Sequence, residues 1–229
     1  MGQINGKVVF ALKSVRVWFK KKGSARYISH LDLNRVMTRA IQHSRIPVWH
    51  TEGFNPHPFI TFALPLSLGF CGEKETMDFK LLEDVSENEI IKRLNTCLPN
   101  GIEVYKVTEP VMKAGKIAFA KFEIKFESED VTSEKLFELT RSLFAKEKIE
   151  VEKRSKKGMK LIDIKPELST YTLEKMDSYV KLEMILPAGS VNNVNPQLFF
   201  TALEKENNIE VYTDITRLDT YNEEMKSFC

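Results

Sequence analysis

The stretch VRVWFKKKGSARYISHLDLNRVMTRAIQHSRIPVWH, Val15–His50, holds the repeating unit of the fold. Its first six residues, Val15–Lys20, are β-branched, aromatic and basic, which reads as a strand. Gly23 and Ser24 break it. Ser29 then fits a helix N-cap, with Asp32 at the capping-box position. Leu33, Val36, Met37, Ala40 and Ile41 recur at helical spacing, so this helix buries one stripe and leaves Arg35, Arg39 and Gln42 on another face. Pro47 stops the helix because it has no N–H to give and its ring crowds the preceding turn. Val48–His50 opens a second strand.

The same grammar continues downstream. Phe59–Ala63 and Thr76–Leu82 read as strands around a turn-rich Leu64–Glu75. Ser86 caps a second helix with Glu89 at the box position, Ile90, Ile91 and Leu94 form its apolar side, and Pro99-Asn100-Gly101 ends it. Ile102–Val107 is a strand, which completes a β-α-β-β-α-β order. That order returns after Pro110–Lys116. Ala118–Glu127 alternates, Ser133–Lys146 is helical, and Ile149–Lys153 with Met159–Ile164 forms a hairpin around Ser155–Gly158. Tyr171–Leu173 and Tyr179–Leu186 are further strands. Asn195 caps a helix whose first position, Pro196, is where proline is tolerated. Ile209–Arg217 closes as a strand. The expectation is an α+β chain of tandem ferredoxin-like domains with antiparallel sheets, over residues 14–110 and 116–221.

Composition narrows the function classes. A chain of 229 residues fits one large domain or two small ones. A formal net charge of +2 excludes a globally basic nucleic-acid binder and leaves room for a local basic patch. Cys71, Cys97 and Cys229 are odd in number and widely spaced, which fits a reducing cytoplasm and no disulfide framework. There is no CxxC pair to hold a zinc ribbon or an iron–sulfur cluster. The early apolar run Val8–Leu12 is too short for a signal-peptide core or a membrane span, so no membrane role is expected.

Polar and aromatic groups concentrate in Arg26–Gly69, which contains all four histidines of the chain. Ser29 and Asp32 are accounted for by the cap. His30 is not: a cap needs no imidazole, and a helix N-terminus favours anions such as phosphate. In Gly53-Phe54-Asn55-Pro56-His57-Pro58, two prolines stiffen a loop around His57. Such a loop suits base stacking and polar readout. The plainer alternative is a turn in which Phe54 plugs the core. Basic residues form two clusters: Lys20, Lys21, Lys22, Arg26, Arg35 and Arg39, then Lys153, Arg154, Lys156, Lys157 and Lys160. Each is either a phosphate track or a solvated face and a protected sheet edge. No histidines stand at i and i+4 on a helix, so no metal site and no cofactor are expected. Cys71 lacks a helix start beside it that would activate its thiol.

At YISHLDLNR, Tyr27–Arg35, and EGFNPHPFITFALPLSLG, Glu52–Gly69, the chain resembles the bacterial radical-SAM-linked proteins, a family built around a domain of unknown function. Glu75 and Asp78 match that family's acidic strand. The resemblance implies a partner of a radical-SAM enzyme acting on RNA, and it carries no catalytic residues to transfer. The resulting expectation is an accessory protein that binds or presents RNA in tRNA or rRNA processing or modification. His30, Arg35, Arg39, Asn55 and His57 would line its surface, with Lys156 and Lys157 on phosphates. The rival readings are a metal-independent endoribonuclease using His30 or His57, and a protein-docking module that touches no RNA.

Overall fold

A computed structural model of the chain describes residues 12–155, 158–189 and 192–229. Over the described residues the protein is α+β, with four α-helices and mostly antiparallel strands. It divides into two compact units. The first comprises the described residues through Leu68 together with Glu75–Lys113, and the second comprises Gly69–Lys74 with Ala114–Cys229. Gly69–Lys74 therefore cluster with the second unit although they lie inside the 14–110 stretch.

The first unit runs β1 (Lys13–Lys21), α1 (His30–Ser44), β2 (Thr61–Phe62), β3 (Cys71–Leu81, in this unit from Glu75 onward), α2 (Glu87–Cys97) and β4 (Ile102–Thr108). Its strands lie in the order β4-β1-β3, with β2 paired to β3 at Met77 and Asp78. Strand alternation sorts β1 into two faces. Val15, Val17 and Phe19 enter the core beside Leu33, Met37, Ala40 and Ile41 of α1 and Ile90 and Leu94 of α2. Arg16, Trp18 and Lys20 fall on the face without helices. Ser29 Oγ accepts from the Asp32 amide at 3.2 Å and donates to Asp32 Oδ2 at 2.7 Å, closing the cap of α1. At Gly101, φ is +89° and an added Cβ would lie 2.5 Å from the Lys22 carbonyl, so only glycine lets α2 hand over to β4 there.

The pairing of β1 with β4 contains a β-bulge. Trp18 faces Lys106 and Phe19 faces Val104, so the register shifts by one residue at Tyr105. Tyr105 and Lys106 are consequently exposed in succession between buried Val104 and Val107. On the same side, the fully buried Arg16 holds Asp78 through Nε at 2.8 Å and Nη2 at 2.7 Å and donates to the Met112 carbonyl at 2.7 Å. A buried guanidinium needs such company, since removing it from water costs several kcal/mol.

The second unit runs β5 (Phe119–Glu127), α3 (Ser133–Phe144), β6 (Glu150–Ser155), β7 (Gly158–Asp163), β8 (Tyr171–Lys175), β9 (Val180–Pro187), α4 (Gln197–Asn207) and β10 (Tyr212–Tyr221). Its strands lie in the order β10-β5-β9-β8, and β6 pairs with β7 as a separate ribbon. Ala120, Phe122, Ile124 and Phe126 of β5 face the core, where Phe126 meets Phe200 of α4 at 5.0 Å and Phe144 stacks on Phe199 at 4.4 Å.

Three local expectations are corrected. The turn-rich Leu64–Glu75 contains the start of β3, because Cys71 and Gly72 find a parallel partner in Thr216 and Arg217 of β10. The strand expected over Phe59–Ala63 shrinks to Thr61–Phe62, because the Phe59 amide turns to the Trp49 carbonyl at 3.0 Å. The last strand spans Tyr212–Tyr221 and not Ile209–Arg217. Asn208 ends α4 in the left-handed region, and β5 offers partners from Glu127 to Phe119.

Candidate functional site

The segment between α1 and β2 leaves the sheet edge and comes back. Val48 bridges Leu81 of β3, and Thr61 and Phe62 pair with Asp78 and Met77. The residues in between fold on themselves: His50 bridges Pro58, and the Thr51 amide donates to the His57 carbonyl at 2.9 Å. The result is a short hairpin whose tip, Glu52–Pro56, is exposed. Gly53 turns the tip at φ +124°, which favours glycine. Phe54 is 105 % exposed, which overturns the reading in which it plugs the core.

His57 is oriented by its own loop. Its amide donates to Thr51 Oγ1 at 3.2 Å, and its Nδ1 lies 3.0 Å from the Asn55 carbonyl. A carbonyl only accepts, so Nδ1 carries the hydrogen and Nε2 is left as the outer ring nitrogen. His50 is set the same way by the Val48 carbonyl at 2.8 Å. Since His50 faces Pro58 and Thr51 faces His57, the two imidazoles leave opposite faces of the hairpin. Among the described residues no three metal-type ligands converge. At the hairpin base, Trp49 meets Phe59 edge to face at 5.5 Å, with the Lys80 ammonium 5.9 Å from the indole centroid.

The residues expected on α1 divide. Arg35 and Arg39 are exposed. Arg35 Nη1 holds Asp32 Oδ1 at 2.8 Å, and Arg39 has no carboxylate partner among the described residues. Hydrogen bonds from Ser29 and then Arg35 hold the Asp32 carboxyl below its ordinary value. His30 is half-buried, with its ring 5.2 Å from Phe62 of β2 and a buried Nδ1 that has no hydrogen-bond partner. That ring edge faces the core. Lys21 leaves the basic cluster altogether: it is 1 % exposed and donates to the Arg26 carbonyl at 3.0 Å.

No hydrogen bond or ring contact among the described residues joins Arg35 or Arg39 to Asn55 or His57. In the second cluster Lys153 donates to the Asn193 carbonyl at 2.7 Å and Lys160 is exposed. Lys156 and Lys157 lie outside the described residues. The sequence reading missed Phe59, Lys80, Tyr105 and Lys106. Two adjacent amphipathic residues between Val104 and Val107 were the available signal, because they break strand alternation.

Chemically, the hairpin offers an aromatic ring, a backbone-set imidazole and an amide on a short, stiff support, while α1 offers guanidinium groups. These groups stack, donate and accept. Over residues 14–196 the sequence matches the profile of a family described as "Uncharacterized protein conserved in bacteria (DUF2344)", and the chain belongs to that family. No curated protein matches it. Among solved structures, it is similar to a chain in the crystal structure of a Cbf5-Nop10-Gar1 complex, with a TM-score of 0.45 and 8 % identity over 83 % of this chain. The match spans 46 % of that chain. It is also similar to an unknown protein from Galdieria sulphuraria, with a TM-score of 0.26 and 12 % identity over 90 % of this chain and 99 % of that one. Among the described residues no helix is long and apolar enough to cross a membrane.

Proposed function

We propose that this protein is a cytoplasmic, non-catalytic accessory of a radical-SAM enzyme that binds or presents RNA in tRNA or rRNA processing or modification. The observation that carries the RNA reading is the full exposure of Phe54 at the tip of a short hairpin, beside Asn55 and an oriented His57. Large apolar rings are normally removed from water, and a ring held out on a stiff polar loop suits an unpaired base. Arg39, exposed and without a carboxylate partner among the described residues, supplies charge for phosphate. The enzyme partnership follows from the motif resemblance at Tyr27–Arg35 and Glu52–Gly69. Each unit is also read as a ferredoxin-like domain. With the separate β6–β7 ribbon left out of the numbering, each has its sheet strands in the order fourth, first, third, second, which supports that reading.

The test is ultraviolet crosslinking and pull-down of the full chain from native lysate, sequencing retained RNA and identifying retained proteins. A His57→Ala/Arg39→Ala double variant is the comparison. Defined RNA lost in the double variant, together with recovery of a radical-SAM enzyme, is the expected result. Protein partners without RNA would overturn the RNA part and leave a docking module. Cleavage of the retained RNA by the purified protein, lost in His57→Ala, would replace the accessory reading with a nuclease.

A further inference from the structure

The second unit carries a cleft at the start of β10, on the sheet face without helices. Its volume is about 320 Å3, and Lys125, Glu127, Tyr179, Tyr212 and Asp214 line it. Register sets three of these in one row. Tyr212 faces Glu127 in the β10–β5 pairing, and the match of Phe126 with Val180 sets Glu127 opposite Tyr179 on the β9 side. Residues opposite one another share a sheet face, so the row reads ring, carboxylate, ring. Two strand spacings separate the tyrosine backbones by about 9.6 Å. A group seated midway is then about 5 Å from each side, within cation–π reach. Glu127 is exposed and makes no ion pair among the described residues. The rim is acidic: repulsion from Glu210, then desolvation and repulsion from Glu129, push the Tyr212 phenol up from its ordinary value. Asp130 accepts from the Glu210 amide at 2.7 Å, which fixes a further carboxylate there. Among the residues lining the cleft the one cation is Lys125, whose ammonium lies 6.0 Å from the Tyr179 centroid.

We infer that this cleft binds a guanidinium group, the side chain of an arginine presented by a partner polypeptide. A guanidinium is flat and weakly hydrated, stacks on aromatic faces and offers paired N–H donors that match one carboxylate. Tyr179 and Tyr212 supply the faces, and Glu127 between them accepts. A lysine ammonium is compact and strongly hydrated, so it loses more on leaving water. Tyr212 is 45 % exposed, so the cleft opens outward and admits a side chain whose backbone stays outside. Lys125 is the occupant that the protein supplies itself. It shows that the Tyr179 ring takes a cation, and it competes with an incoming one. Glu127, Glu129, Asp130 and Glu210 repel phosphate, so this site stands apart from the RNA reading and neither carries the other.

The chain has 6 tyrosines, so labelling the full chain with 15N-tyrosine gives a short set of amide signals, and Tyr179→Phe and Tyr212→Phe assign the two at the cleft. The experiment titrates the protein with N-acetylarginine amide, N-acetyllysine amide and N-acetylcitrulline amide. Citrulline keeps the planar end and loses the charge. The arginine probe should move the Tyr179 and Tyr212 signals saturably and leave Tyr27 and Tyr105 where they are. The lysine probe should bind more weakly and the citrulline probe should not saturate. Glu127→Gln should weaken the arginine probe roughly tenfold, the scale of one lost hydrogen-bonded charge. Tyr212→Ala should weaken it about threefold, and Tyr212→Phe, which keeps the ring, should restore it. Lys125→Gln should tighten it, because the internal competitor is gone.

Citrulline shifts equal to those of arginine, or arginine binding unchanged in Glu127→Gln, overturn the site. Weaker binding in Lys125→Gln also overturns it and marks an anion site centred on that ammonium. Lysine binding as tight as arginine overturns the guanidinium assignment. The anisotropy of fluorescein-labelled oligouridine keeps the RNA reading separate: it should be the same in Glu127→Gln as in the wild type, and His57→Ala/Arg39→Ala should bind the arginine probe as the wild type does. Loss of arginine binding in that double variant would place the probe on the first unit and remove the cleft.

Discussion

The helix-free faces of the two units use their lysines differently. In the second unit, Lys121 meets Glu183 at 2.8 Å, and Lys181 meets Glu123 and Glu183, each at 3.1 Å. Hydrogen bonds to Glu123 and Glu183 push the Lys181 ammonium well above its ordinary value, so its charge is held in place by the protein itself. In the first unit, Lys80 and Lys106 sit over indole rings, which attract a cation without cancelling it. A lysine count therefore does not locate an anion site. What matters is whether each ammonium faces a carboxylate or a ring, and that is decided by cross-strand register. Lys121 and Lys181 lie beside glutamates because β5 pairs with β9 without a shift, whereas the β1–β4 pair contains a bulge.

The comparison breaks most visibly at Arg16. Arg16→Ala removes the fully buried half of the pair with Asp78 and frees the Met112 carbonyl. It should destabilise the protein by about 3 kcal/mol, read as a lowered urea midpoint. A shift within the error of the wild type would mean that the first face is not organised around this pair.

Phe54→Ala comes next. It should weaken RNA retention roughly tenfold while leaving the urea midpoint where it was, because a fully exposed ring contributes nothing to the core. A drop in midpoint would show that the ring packs in solution.

The ladder of the second unit predicts a smaller effect with a defined pH dependence. Hydrogen bonds from Lys121 and Lys181 hold the Glu183 carboxyl below its ordinary 4.5. Its contribution is therefore fully present above that pH and is lost as pH falls through the folded value. Glu183→Gln should cost under about 1 kcal/mol at neutral pH and nothing in strong acid, measured by urea unfolding at both. An equal loss at both would assign the effect to packing. Smallest of all, Lys121→Gln should leave oligouridine affinity unchanged, because its charge is already answered within the sheet. A clear weakening would move the RNA surface toward the second unit.

The elements that were legible in sequence are those whose signal is local. Ser29 and Ser86 each accept from the amide three residues on, as short polar side chains before helical stripes do. Of the stripe Leu33, Val36, Met37, Ala40 and Ile41 all are buried but the half-buried Val36, and Phe122, Ile124 and Phe126 are buried as their alternation required. The site was half legible. Proline on either side of His57 announced a stiff loop, but nothing local distinguishes a Phe54 that plugs a core from one that points at water. Lys21 was misjudged for the same reason, since burial belongs to the neighbours that fold over a residue.

Sequence by itself determined the helices, most of the strands and the concentration of polar and aromatic groups between Arg26 and Gly69, because caps and apolar periods act over a few residues. Only the tertiary structure decided that Cys71–Lys74 join the second unit, that Tyr105 and Lys106 share one face, and that Arg16 is sealed against Asp78. Each of these depends on a partner strand or a covering segment far away in the chain: a strand end is set by the hydrogen-bonding edge it meets, and a charge's role by the group register places opposite it.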